Sequence, residues 1–314
     1  SPLSVLYALA MAESGADGET LAQMEQATGM SVEELADTLQ SYLQLSSSYD
    51  GPLSLANSVW VRDSDGLSVE DAFLEACGGR LGAQVFSAPF DDSTVADVNA
   101  WISEKTHEMI PEMLSRLSDQ TQLLLANALA FEGAWEEPFD SALITPDTFT
   151  REDGVGQDVD MMHSTESSYF ENDLATGFAK PYEDHDYRFV GLLPNKGVTV
   201  AELLESLDGE GLAELLTPKE NTVVLVSLPT FTSSYDIELS DALRALGVTD
   251  AFDAAAADFS RMGRSDAGPL FIGSVLHKTF IDVNEEGTRA AAATSVSMDG
   301  VAAPGDPIEY HEVI

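Results

Sequence analysis

Side chains that usually carry covalent or metal chemistry are sparse and scattered in this sequence. Its five histidines are spread along the chain, and His107-Glu108 lacks the second histidine that a helical zinc site needs. No Gly-x-Ser-x-Gly turn presents a nucleophilic serine, and no glycine-rich phosphate loop occurs. Cys77 is the single cysteine, so no internal disulfide can form. Its place after an apolar helical stretch reads as packed core. Pairs of Asp and Glu could imitate a glycosidase dyad, but with 55 acidic residues chance neighbours are expected. The residues point to no catalytic group, metal or cofactor.

The segment with unusual design is Asn284-Glu285-Glu286-Gly287-Thr288-Arg289-Ala290-Ala291-Ala292-Ala293-Thr294-Ser295-Val296-Ser297-Met298. By propensity its four alanines favour helix. By period two it splits cleanly. Thr288, Ala290, Ala292, Thr294, Val296 and Met298 hold every large apolar group, while Arg289, Ala291, Ala293, Ser295, Ser297 and Asp299 hold both charges and both serines. That is the inward and outward division of a strand with one buried face. Yet Gly300-Val301-Ala302-Ala303-Pro304-Gly305-Asp306-Pro307 follows, which is loop chemistry. Small side chains let such a segment enter a packed sheet and give little to hold it outside one, as a switching element requires. Taken alone, an ordinary edge strand or a linker helix would explain the same residues.

The elements around it read as helices first and strands later. Ser4–Glu13, Thr20–Thr28 and Ser31–Tyr42 carry apolar residues at helical spacing, the last opened by a Ser31-Val32-Glu33-Glu34 capping box. Helices are also predicted over Val69–Ala76, Thr94–Leu117 (with Pro111 as a kink or boundary) and Ser240–Leu246. Strands are predicted over Leu55–Val61, Leu123–Phe131, Phe189–Leu193 and Val223–Leu228, and as two runs within Leu270–Val283. This order predicts an α+β fold rather than a repeating βαβ chain. One domain over 1–314 is expected, since no repeat or low-complexity linker divides the chain.

Composition bounds the setting. The chain is 44% hydrophobic, ample for a core, and its formal charge is −41 from 55 acidic against 14 basic residues. The acids are interleaved with apolar positions rather than blocked into a tail. Self-repulsion on this scale destabilises the compact state in dilute salt, whereas at about 1 M salt the screening length falls to about 3 Å. The composition resembles that of proteins from salt-loving microbes. Nucleic acid is an unsuitable partner because its phosphates would be repelled. No run of about 18 apolar residues predicts a membrane span. The opening Ser1-Pro2-Leu3-Ser4 reads as chain already inside a fold, without a signal peptide; the compartment stays open, with an extracellular or cell-surface, high-salt setting favoured.

Val283-Asn284-Glu285-Glu286-Gly287-Thr288 with its alanine run resembles the hinge of the serpin reactive loop. Other segments resemble that family in its own order. They include Ser1-Pro2-Leu3-Ser4 with Leu9-Ala10-Met11-Ala12, Gly18-Glu19-Thr20-Leu21-Ala22-Gln23-Met24, Asn57-Ser58-Val59-Trp60-Val61 and Val98-Asn99-Ala100-Trp101-Ile102. Leu125–Phe131 with Gly133-Ala134-Trp135 and Pro138-Phe139 resembles the central strand and its exit. Met161-Met162-His163, Leu192-Leu193-Pro194, Leu246–Phe252 and Val275-Leu276-His277-Lys278 complete the series. Each is weak alone, and their ordered sum is specific.

The resemblance implies a serpin fold, helices around three sheets, with a reactive loop over 285–307. It also implies an irreversible inhibitor that acts by suicide. A serine protease cleaves the loop and forms an acyl-enzyme; the hinge Glu285, Glu286, Gly287, Thr288, Arg289, Ala290, Ala291, Ala292, Ala293 and Thr294 then enters the main sheet. About 14 residues, Thr288 to Val301, at about 3.3 Å each would carry the tethered protease roughly 45 Å. The family spacing puts the scissile bond at Val301–Ala302, and those small apolar side chains suit an elastase-like or subtilisin-like target. By resemblance Ser4, Asn127 and His277 form the polar cluster that governs sheet opening, and Trp135 stands where the hinge enters. A monomer is expected.

Two departures go with the resemblance. Leu228-Pro229 is followed by Thr230, where many serpins have a lysine that pairs with the hinge glutamate, here Glu285. The chain also ends at Glu312-Val313-Ile314, where the family places its last two strands, so a domain incomplete at both ends is expected. The rival reading is a non-inhibitory serpin-like binding or chaperone module. Such a module would usually carry bulky, charged or proline residues in the hinge, where Arg289 is the only large side chain.

Overall fold

A computed structural model describes residues 1–47, 51–266, 268–289 and 309–313. The chain forms two compact units, Ser1–Phe131 with Ser234–Phe280, and Glu132–Ser233 with Ile281–Ile314.

The first unit opens with three helices, Pro2–Glu13, Gly18–Thr28 and Val32–Ser47. Pro2 sits in the first turn, where its missing N–H is no loss. Gly29 closes the second helix in the left-handed region at φ 73°. The Ser31–Glu34 capping box forms reciprocally: Ser31 N–H donates to Glu34 Oε2 at 3.1 Å, and Glu34 N–H donates to Ser31 Oγ at 3.4 Å. A three-stranded sheet has Leu53–Arg62 at its centre, parallel to Ala83–Ala88 and antiparallel to Leu123–Phe131. Tyr7, Met11, Met24, Leu35, Val59 and Phe73 form one core, and Trp60, Val98, Trp101 and Ile102 a second.

Three local expectations shift here. The helix predicted over Thr94–Leu117 spans Asp92–Lys105. Beyond it His107 and Glu108 adopt φ of 48° and 65°. Asn99 then folds the following chain back, accepting from Met113 N–H and Leu114 N–H (both 2.8 Å) and donating to the Leu114 carbonyl at 2.7 Å. The helix thus ends at Thr106, before Pro111 is reached. Within Val69–Ala76 the helix is only Asp71–Glu75, continued by a π turn over Ala76–Arg80. Of the two runs expected in Leu270–Val283, only Leu276–Val283 is a strand.

The second unit is mostly strand. Gly156–Glu166 and Thr222–Pro229 pair antiparallel at the middle of a four-stranded sheet, flanked by Thr145–Thr150 and by Glu309–Val313, which runs parallel to Thr222–Pro229. A three-stranded antiparallel sheet has Ala175–Pro181 between Ser168–Glu171 and Arg188–Pro194. Exposed Thr and Asp on strands such as Thr145–Thr150 dilute the alternation, so most of these strands leave little hydrophobic signal. The short helices Val200–Ser206 and Gly209–Leu215 are likewise below the length at which periodicity is legible. Segregated helices and mainly antiparallel sheets make the fold α+β.

Candidate functional site

In the second unit, the end of strand Leu276–Val283 turns back on itself. Asn284 makes the turn: its side-chain oxygen accepts from Glu286 N–H at 2.9 Å and Gly287 N–H at 3.2 Å, and its own N–H donates to the Gly287 carbonyl at 3.0 Å. Gly287–Thr288 then returns antiparallel, Thr288 opposite Val283, and Arg289 N–H donates to the Asp282 carbonyl at 3.0 Å. On its other side this two-residue strand pairs antiparallel with Gly133–Ala134. The return strand is therefore flanked on both sides.

Its residue types follow from that position. A Cβ on Gly287 would lie 2.1 Å from the Gly133 carbonyl oxygen, closer than any side chain tolerates, so only glycine fits the rung. Thr288 is 7% exposed, and its hydroxyl lies 2.6 Å from the Tyr182 hydroxyl. Arg289 takes φ 42°, with its Nε 3.8 Å from Glu132 Oε1. Ala290, Ala291, Ala292, Ala293 and Thr294, like Val301 and Ala302, lie outside the described residues.

Trp135 holds the turn from outside. It is buried and stacks on Tyr182 with ring centroids 4.8 Å apart. Its backbone N–H donates to the Glu286 carbonyl at 3.0 Å, its indole N–H to the Asn284 carbonyl at 2.9 Å, and Phe139 N–H donates to the Glu285 carbonyl at 2.9 Å. Burial pushes the Tyr182 hydroxyl up to about 12, against the opposing hydrogen bond to Thr288. Among the described residues Glu285 makes no ion pair. Lys180, which sequence reasoning passed over, lies under the same aromatic group, 2.8 Å from Glu166 Oε1. A signal existed: a lysine inside the apolar run Phe178-Ala179-Lys180-Pro181, in a chain with only 14 basic residues.

The first unit contains the polar cluster. Ser4 Oγ donates to Asn127 Oδ1. Asn127 Nδ2 donates to Asn57 Oδ1 at 2.9 Å, and Asn57 Nδ2 to the Leu81 carbonyl at 2.7 Å. Asn57 faces Asn127 in the strand register, so the sheet pairing itself brings the two amides together. His277 is placed differently: its Nε2 lies 2.8 Å from the Ser1 backbone nitrogen. Burial lowers its pKa from the usual 6.5. The structure thus joins Ser4 to Asn127 and adds Asn57; among the described residues His277 bonds neither, while Trp135 bonds the turn 284–286.

Comparison with known proteins assigns these features to a class. The family model described as Serpin (serine protease inhibitor) matches residues 1–311. The chain is 32% identical over 306 residues to human Serpin B9, covering 94% of this chain and 81% of that protein. It is 30% identical over 322 residues to a serine protease inhibitor of Cyanea capillata, covering 97% and 83%. Among solved structures, the thermophilic serpin tengpin in its native state superposes with a TM-score of 0.89 at 40% identity, over 100% of this chain and 81% of that one. The fold is the serpin fold. The chain belongs to the serpin family, whose members are generally serine protease inhibitors and not catalysts. Among the described residues no helix is long and apolar enough to cross a membrane.

Proposed function

We propose that this chain is an irreversible inhibitor of serine proteases, acting as a suicide substrate through the loop 285–307. The observation that carries the reading is the two-residue strand Gly287–Thr288, already paired with Val283 on one side and Gly133–Ala134 on the other. Residues after Arg289 that followed the same path would extend this rung, each new ladder hydrogen bond contributing about 1 kcal/mol net. Cleavage at Val301–Ala302 frees the segment to do so, and the acyl-linked protease is dragged with it before it can deacylate. Small side chains at Ala290–Ala293 pose no steric barrier to entry. The asparagine pair Asn57–Asn127 with Ser4 stabilises the sheet in its unopened state.

The target that fits Val301 is elastase-like or subtilisin-like, and the working medium is concentrated salt, given the charge of −41. We take the chain as one monomeric domain: both compact units are discontinuous in sequence, so neither can be excised as a single segment. The test is incubation with a subtilisin-like and an elastase-like protease in 2 M KCl. An adduct that survives SDS, with a cut mapped to Val301–Ala302, is expected. Clipping of the loop without an adduct would instead make this a non-inhibitory binding module.

A further inference from the structure

Lys180 and Glu166 form an ion pair at 2.8 Å with side chains only 3% and 10% exposed. Ser164 Oγ adds a second hydrogen bond to the same carboxylate oxygen, at 2.7 Å. Burying a charged pair brings a desolvation penalty that well-packed apolar residues avoid, so stability alone is a poor reason for its presence. Its surroundings suggest another. Lys180 Nζ lies 4.5 Å from the Phe139 ring centroid and 5.8 Å from that of Trp135, within range for attraction of a desolvated ammonium to both rings. These are the same two residues that grip the hinge turn. Three consecutive carbonyls, Asn284, Glu285 and Glu286, accept from the Trp135 indole, the Phe139 amide and the Trp135 amide.

We propose that the buried Lys180–Glu166 pair is a latch for the hinge, fixing Trp135 and Phe139 so that they hold the turn 284–286 closed. Lys180 is a positioning residue: among the described residues its ammonium bonds Glu166 and not the turn, and it works through the two rings. Glu166 pins the ammonium at the depth where both rings meet it, which a lone lysine, drawn toward water, would not keep. The latch fills the place of the absent lysine partner of Glu285, holding the turn by its backbone instead of by a surface ion pair that concentrated salt would screen. The inference rests on the hinge reading above and concerns how tightly that hinge is held before any protease arrives.

The test is amide hydrogen exchange, resolved at Trp135 and Phe139, on the whole protein without protease in 2 M KCl. The double variant Lys180→Met/Glu166→Gln removes both charges at nearly constant volume. Its Trp135 and Phe139 amides should exchange about ten- to thirtyfold faster, with amides of strand Leu53–Arg62, which pairs with neither substituted residue, unchanged, because only local opening is altered. Phe139→Leu keeps the amide and removes one ring; it should speed the same two amides by a smaller factor. Unchanged exchange at both amides in a folded double variant overturns the latch. Should that variant not fold, unchanged exchange in Phe139→Leu overturns it. Adduct formation measured on the same samples keeps the questions apart: a parent that forms no adduct sinks the inhibitor reading, while the exchange result still decides the latch.

Discussion

Gly287→Ala is the most informative single change in the hinge. The added Cβ would sit 2.1 Å from the Gly133 carbonyl oxygen and 2.9 Å from the Ala134 Cα. Ordinary contact begins near 3.4 Å, so the rung must widen by about 1.3 Å or break. Both clashing groups are backbone, which cannot rotate away as a side chain can. The rung is already flanked on both sides in the uncleaved protein, so the overlap strains it there too; with only two residues paired it can give, whereas a strand extended past Arg289 would be held along its length. Overpacking of this kind costs roughly 1–3 kcal/mol. If about 2 kcal/mol of it falls on the barrier to insertion, insertion slows about thirtyfold.

Deacylation belongs to the protease and should be unaffected, so the ratio of turnover to trapping should rise by about the same thirtyfold factor. The assay is titration of a fixed amount of protease with inhibitor, quantifying SDS-stable adduct against cleaved free inhibitor. Gly287→Ala should give mostly cleaved inhibitor where the parent gives adduct. Equal adduct yield from the two proteins, each shown folded by its thermal transition, would refute the claim that insertion begins on this rung.

Glu13 should make stability fall as pH rises. Its carboxyl is fully buried, and burial, opposed by the Thr28 hydrogen bond and reinforced by the charge of Glu25, raises it from 4.5 to about 7. The folded state holds the proton more tightly than the unfolded chain, so the penalty is absent below pH 4.5 and complete above pH 7. At about 1.4 kcal/mol per unit it reaches roughly 3 kcal/mol. Glu13→Gln should therefore be more stable than the parent at pH 8 and equal to it at pH 4.5, as read from urea midpoints. Salt should act on the whole chain: raising KCl from 0.1 to 2 M should lift the melting temperature by on the order of 10 °C by screening self-repulsion. A flat or falling Tm would count against that account.

What the sequence made legible around 284–289 was local: a turn packed against a neighbouring backbone needs a glycine, and Gly287 meets Gly133 in that way. Period-two sorting singled out 288–299 from residue types alone, and its part beyond Arg289 lies outside the described residues. The ordered segments from Ser1-Pro2 to Val275–Lys278 carried the family for the same reason. Helix starts such as Ser31–Glu34 were readable too, since a cap is a contact between residues three apart.

Tertiary structure decided what depends on partners far apart in the chain. The Asp92–Lys105 helix ends at Thr106 with left-handed His107 and Glu108 after it, and Asn99 captures the amides of Met113 and Leu114, a fold-back that no periodicity records. Asn57 meets Asn127 through strand register, and the His277 ring nitrogen bonds the Ser1 backbone nitrogen. Lys180 reaches Glu166 and the underside of Trp135 and Phe139 only once the sheets have packed. Residue type and spacing dictate what a segment can become, but a buried charge or amide is satisfied by geometry across strands, and that geometry exists only in the folded chain.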